Sequence, residues 1–372
     1  MKRMVMLARE ITKKEIDLGI GTERSSTRLS PIFKTLNLNI PIKDGKPYKP
    51  EIPINPFEGT PMMVMPLLYI PHDESYLFGT PSILEKASEQ TIKPTKAISD
   101  PGKGTGSPVI AASLTAKDDN ILIVAPCDQY LSSAVKSAVK QILENMEKGG
   151  YSSGTLLTTG TRNPAFSYLK VKGEKATEFI LKGTIPTDDM IAETMVVCIR
   201  SDYLKKQILA TKDAKLKDLQ KIYPYPKEEI IKIQNQLRVI SILIETCKDI
   251  DEYLKTCPFC DFSKVIHRLL ISEMTYATVE YQEEWDDLGD WQKVYRTPIY
   301  PKDESNNVVF SKSGLLSYAD CKNSIIANFT ENKVIVNGLE NRIYAVGPRG
   351  SIDLPLDLDP QIFKKEVSKI KM

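Results

Sequence analysis

Apolar and polar positions are patterned differently along different parts of the chain. Apolar runs at Val5-Met6-Leu7-Ala8, at Met62 to Ile70 and at Ile121-Leu122-Ile123-Val124-Ala125 read as strands. The last, apolar at every position, reads as a parallel strand buried on both faces. Residues Val135, Ala138, Val139, Ile142, Leu143 and Met146 follow helical spacing, with Ser132 or Ser133 as cap and Gly149-Gly150 as stop. Pro81 to Gln90 reads as a short helix with proline in its first turn, and Val109 to Leu114 opens another. Strand-like runs follow around Leu156-Leu157, Tyr168-Leu169-Lys170-Val171, Phe179-Ile180-Leu181 and Met195-Val196-Val197-Cys198-Ile199. A lysine-rich helical section then runs from Ser201 to Glu252, broken at Tyr223-Pro224-Tyr225-Pro226. From Asn306 the pattern becomes short strands and turns: Val308-Val309-Phe310, Ser324 to Phe329, Lys333 to Val336 before Asn337-Gly338, and Arg342 to Val346. Pro360 to Lys371 reads as an amphipathic helix. The patterning predicts an α/β domain over residues 1–300 and a small all-β domain with a closing helix over 301–372.

Composition adds exclusions more than identity. The 372 residues can bury a sizeable core, and a formal charge of +2 with 26% charged residues gives no global pull toward nucleic acid or membrane. Basic residues are dispersed without an interleaved aromatic patch. No run of about 18 apolar residues is present, and the start is too short in apolar residues for a signal peptide, so a cytoplasmic protein is expected. Six scattered cysteines form no disulfide framework. Cys257-Pro258-Phe259-Cys260 has metal or redox spacing, with Cys247 and His267 as further candidate ligands. The same residues also read as a plain loop before a helix.

Candidate chemistry concentrates in Glu284-Trp285-Asp286-Asp287-Leu288-Gly289-Asp290-Trp291, which holds both tryptophans of the chain. Carboxylates between bulky aromatics suit a walled pocket in which an aspartate holds a divalent cation. They equally suit a hairpin end with two core tryptophans and solvated acids. Asp128 follows the buried strand, where open α/β sheets place their ligands, although an aspartate there can also cap the next helix. Two loops offer backbone to a ligand. One is Arg24-Ser25-Ser26-Thr27-Arg28-Leu29-Ser30-Pro31, and the other is Pro101-Gly102-Lys103-Gly104-Thr105-Gly106-Ser107.

In this order the pieces resemble the bacterial mannose-1-phosphate guanylyltransferases, a branch of the sugar nucleotidyltransferases. Trp285 to Trp291 is similar to that family's W-x-D-[VIL]-G-S-W segment, and Asn337-Gly338-Leu339-Glu340-Asn341 to its G-L-E-[ND] turn. The resemblance implies a Rossmann-like (GT-A-like) nucleotidyltransferase domain with a mixed sheet, followed by the small β unit. It implies joining a nucleoside triphosphate, GTP, to a sugar 1-phosphate, mannose 1-phosphate, with Mg²⁺ and release of pyrophosphate. Asp128 and Asp287 would be the metal ligands. Thr27-Arg28-Leu29-Ser30-Pro31 is similar to G-T-R-L-W-P, which would put Arg28 on the triphosphate, beside Ser26 and Thr27. Lys182 falls at the lysine of F-x-E-K-P, Gly104 and Thr105 in the segment equivalent to R-N-T-A-P-A-I, Asp261 at the aspartate of S-[IV]-D-Y, and Glu193 at the asparagine of N-S-G. A homo-oligomer or a subunit of a larger assembly would follow.

The chain also departs from that pattern. The G-G-x-G before T-R-L is absent, the lysine of P-K aligns with Asn37, the glutamate of F-x-E-K-P is Leu181, and N-S-G reads Glu193-Thr194-Met195. Side chains at glycine positions keep a loop from wrapping phosphates closely. Two expectations stand side by side: a divergent sugar nucleotidyltransferase, and a catalytically inactive protein of that fold serving as a structural, assembly or regulatory subunit.

Overall fold

The computed structural model describes residues 1–8, 42–43, 46–47, 64–79, 81–287, 291–311, 314–347, 350–358 and 362, with backbone alone at 42, 43, 46, 47, 82, 86 and 350. The chain divides into two compact units. The first contains the opening strand, Pro66–Cys127 and Leu131–Trp285; the second contains Asp128–Tyr130 and the described residues from Asp286 onward.

The first unit is a nine-stranded sheet flanked by helices. Its strands are β1 (Lys2–Ala8), β2 (Glu74–Gly79), β3 (Lys96–Ser99), β4 (Ile121–Pro126), β5 (Ser153–Thr159), β6 (Tyr168–Lys172), β7 (Lys175–Ile180), β8 (Met190–Arg200) and β9 (Met274–Glu280), in spatial order β3-β2-β1-β4-β8-β5-β9-β7-β6. β1 runs parallel to β2 on one side and to β4 on the other, so the strand order reverses between β1 and β4. β8 is antiparallel to both β4 and β5, which makes the sheet mixed. The run Ile121 to Ala125 is buried throughout β4, as its unbroken apolar character predicts.

Helices follow the expected signals with one exception. The helix Ser133–Lys148 is capped by the Ser132 hydroxyl, which accepts from the Ala134 amide, and ends at Gly149. Pro81–Ser88 and Gly106–Leu114 are helical, and the lysine-rich section forms Ser201–Lys212, Leu216–Ile222 and Lys227–Thr246, parted at the expected proline segment. The expected strand from Met62 to Ile70 is helical in its described part: Met65–Tyr69 is a helical turn. A run this short fits either period, and Met-Pro-Leu-Leu has the fixed proline φ of a first turn. Across β1 and β2, the buried Arg3 guanidinium pairs with Glu74, donates to Ala112 O at 2.6 Å and to Thr115 Oγ1 at 2.8 Å, and lies 4.4 Å from the Tyr76 ring centroid.

The second unit is built from stacked coils. Its strands are β10 (Val308–Ser311), β11 (Leu316–Ala319), β12 (Ile325–Asn328), β13 (Val334–Asn337), β14 (Arg342–Gly347) and β15 (Gly350–Pro355). β10, β12 and β14 lie parallel, with Val308 opposite Ile325 and Ile325 opposite Ile343. β11 and β13 form a second parallel pair. Each coil therefore advances the chain by 17 or 18 residues, and Asn306, Asn323 and Asn341 recur at that interval with φ of 65°, 48° and 55°. Asparagine tolerates this left-handed geometry better than other side-chain-bearing residues, so it turns the same corner in each coil. Ile326 and Val336 fill the interior between the two parallel stacks, while Phe310 packs edge-on to Trp291 and Tyr300. The expected closing helix, 360–371, lies outside the described residues.

Candidate functional site

The two tryptophans of the central octet end up in different units. Trp285 is buried in the first unit beside Phe166 and Tyr281, with ring centroids 5.8 and 6.3 Å away. Trp291 is buried in the second unit against Phe310. Both are core residues, as the plainer reading of the octet has it. Within the first unit, Ser132 N–H donates to Glu284 O at 3.0 Å. Asp128 itself is half-buried and follows β4 directly, where Cys127 N–H is held by Leu7 O at 3.1 Å.

The acidic pair in the second unit is tied to a lysine. Asp286 is fully buried, and its Oδ1 lies 3.1 Å from Lys293 Nζ; Asp287 Oδ1 accepts a hydrogen bond from the same ammonium. Lys293 sits in the helix Trp291–Arg296 and is itself buried, with its carbonyl accepting from Thr297 Oγ1 at 2.6 Å. A divalent cation about 4 Å from an ammonium is repelled by roughly 8 kcal/mol at an effective dielectric near 20. Among the described residues no group of three or more His, Cys, Asp or Glu side chains is arranged to hold a metal ion. Asp286 and Asp287, as they are engaged here, do not fit a magnesium ion.

In the first unit, the Glu193 segment forms a bulge in β8. Register to β5 shifts between Glu193 and Val197, and Met195 stands at φ 67°. A left-handed backbone is one that glycine adopts without strain, and here the residue is methionine. The Glu193 side chain is fully buried, with Oε1 3.3 Å from His267 Nδ1. His267 lies between Phe179 and Phe262, at ring-centroid distances of 4.8 and 5.6 Å. Burial first, and the adjacent Arg268 charge second, push its pKa down to about 3, so the imidazole is neutral at physiological pH.

Gly104 and Thr105 are engaged by the Cys257 to Cys260 loop. Cys260 N–H donates to Lys103 O at 2.6 Å, Gly106 N–H donates to Cys260 O at 2.8 Å, and Phe262 N–H donates to Thr105 Oγ1 at 3.1 Å. Gly104 has φ +84°, and a Cβ there would lie 2.3 Å from the Cys260 carbonyl oxygen. Close backbone approach is thus what the glycine serves, toward protein. Cys257 and Cys260 are buried, and burial pushes both thiols up. Asp261 caps the following turn, accepting from Lys264 N–H at 2.8 Å. Lys182 is exposed just after β7, next to Gly183 at φ 94°. Ser26, Thr27 and Arg28 lie outside the described residues.

Sequence reasoning missed Lys293 and assigned His267 only to a metal. The signal for Lys293 was its place six residues after Asp287, within the first turn of the helix opened by Trp291.

Comparison with known proteins bears on the fold. No family model and no curated protein matches the chain. Among solved structures, a Thermus thermophilus protein described as a mannose-1-phosphate geranyltransferase is similar over 100% of this chain and 99% of its own, with TM-score 0.64 and 15% identity. A mannose-6-phosphate isomerase from Helicobacter pylori is similar over 77% of this chain and 99% of its own (TM-score 0.45, 12% identity). HddC from Yersinia pseudotuberculosis is similar over 80% and 98% respectively (TM-score 0.44, 14% identity). The first likeness spans the chain end to end. The chain shares the fold of that protein, a mixed α/β sheet flanked by helices with added C-terminal strands.

Proposed function

We propose that this chain is a divergent sugar nucleotidyltransferase and joins a nucleoside triphosphate to a sugar 1-phosphate. The observation that carries this reading is the position of Asp128. It leaves the carboxyl end of β4, where the strand order reverses next to β1, the point at which open α/β sheets bind ligands. In the reaction a phosphate oxygen of the sugar 1-phosphate bonds to the α-phosphorus of the triphosphate. The α–β bridging bond breaks, and pyrophosphate leaves with the electron pair. No protein nucleophile takes part. Cationic side chains, Lys182 and Arg28 by the motif correspondence, would offset the charge that builds on the leaving group. GTP and mannose 1-phosphate are the substrates the motifs favour, in a cytoplasmic homo-oligomer or larger assembly.

A second reading has its own support. The engagement of Asp286 and Asp287 by Lys293 and the pairing of Glu193 with His267 favour a protein that keeps the scaffold without turnover. Pyrophosphate release across a panel of nucleotides and sugar 1-phosphates separates the two. Release with one pair supports the transferase. No release, together with no rise in the melting midpoint at millimolar nucleotide, leaves the scaffold reading.

A further inference from the structure

We propose that Lys293 is a built-in cation for the Asp286–Asp287 pair, standing where a divalent ion would otherwise be held, so that this half of the site carries its positive charge on the chain itself. The inference deepens the reading given above, since it concerns the same acidic pair, yet it makes a claim about cation binding that stands apart from turnover.

Three observations converge on it. First, one ammonium serves two carboxylates: Lys293 Nζ is 3.1 Å from Asp286 Oδ1 and hydrogen-bonded to Asp287 Oδ1. Second, the lysine cannot swing away cheaply. Its side chain is 10% exposed, and its backbone is held on either side, with Trp291 buried against Phe310 and Thr297 N–H and Oγ1 both donating to Lys293 O, at 2.9 and 2.6 Å. Third, the carboxylates differ. The Asp286 side chain is fully buried, while that of Asp287 is 39% exposed. A buried carboxylate needs a partner of opposite charge at all times, and a tethered ammonium supplies one irrespective of the ion content of the solution. Asp287 then shares a cation already committed to Asp286. A metal arriving at Asp287 meets like charge from the ammonium, and its ligand is already occupied.

The test uses the full chain and Mn²⁺ alone, without nucleotide or sugar, read by calorimetric titration and by the melting midpoint. The wild-type chain is expected to show no binding that Asp287→Asn removes. Lys293→Met, which keeps the apolar stem and deletes the charge, is expected to bind Mn²⁺ with affinity raised roughly ten-fold or more, and Lys293→Met/Asp287→Asn to lose that gain. If Lys293→Met does not fold in metal-free buffer, recovery of its fold by millimolar Mn²⁺ supports the proposal, and failure to recover counts against it. Wild-type binding of Mn²⁺ that Asp287→Asn abolishes overturns it. Because the readout needs no reaction, a chain that lacks pyrophosphate release can still pass this test, and an active one can still fail it.

Discussion

In the nine-stranded sheet, strands find their neighbours through burial. β4 is apolar at every position and sits between β1 and β8, and a one-residue slip would exchange no buried side chain for a polar one. Its register is pinned from outside the strand, by backbone bonds such as Cys127 N–H to Leu7 O. In the coils of the second unit the strands are only four to six residues long, and register is set at the corners. There Asn306, Asn323 and Asn341 take the same left-handed turn in successive coils, and Asn306 Nδ2 donates to Asn323 Oδ1 at 2.9 Å. The lesson is that similar short apolar runs are aligned by packing partners in one unit and by backbone conformation in the other.

The largest effect is expected where the first unit depends on close approach. Gly104→Ala should destabilise the chain by about 4 kcal/mol, since the added carbon meets the Cys260 carbonyl and the backbone lies at positive φ. Gly183→Ala, at positive φ but with open space around it, should cost only about 1 kcal/mol. Urea midpoints at constant m-value measure both, and equal losses would mean that conformation alone, as in the coils, governs Gly104.

Acidification separates the units next. His267 titrates near 6.5 when unfolded and at about 3 when folded, so between these values the unfolded chain binds the extra proton. Its contribution to stability is present above pH 6.5 and is lost as pH falls, by at most about 1.4 kcal/mol per pH unit. The difference in stability between the wild-type chain and His267→Gln should shrink along that slope. Hydrogen exchange should show the sheet losing protection before the coils, and simultaneous loss would break the comparison.

The smallest effect belongs to the corners. Asn323→Ala should cost about 1 kcal/mol, while Asn323→Gly should lie within a few tenths of wild type if conformation is what the residue supplies. A glycine variant as damaged as the alanine one would shift the weight to the Asn306–Asn323 side-chain bond.

Much of the fold was legible because it rests on local patterns. The Ser132 cap, the apolar β4 run, the break at Tyr223 to Pro226 and the short terminal strands each follow from period and turn chemistry. The strands Glu74–Gly79 and Met274–Glu280 carry a weaker sequence signal, because Glu74-Ser75 and the polar Thr275 and Thr278 dilute the apolar pattern. The site was less legible. Asp128 stands where strand logic puts it, whereas Gly104 and Thr105, whose composition suits a ligand, are spent on the Cys260 loop.

The order of elements, the mixed α/β class and the residues able to carry charge were all set by the chain's own period, caps and motifs, since these act over a few residues. Which polar groups meet was decided only by the tertiary structure. Lys293 on Asp286 and Asp287, and the neutral His267 beside Glu193, depend on where helices and bulges aim side chains, and on burial deep enough to make an unmatched charge costly.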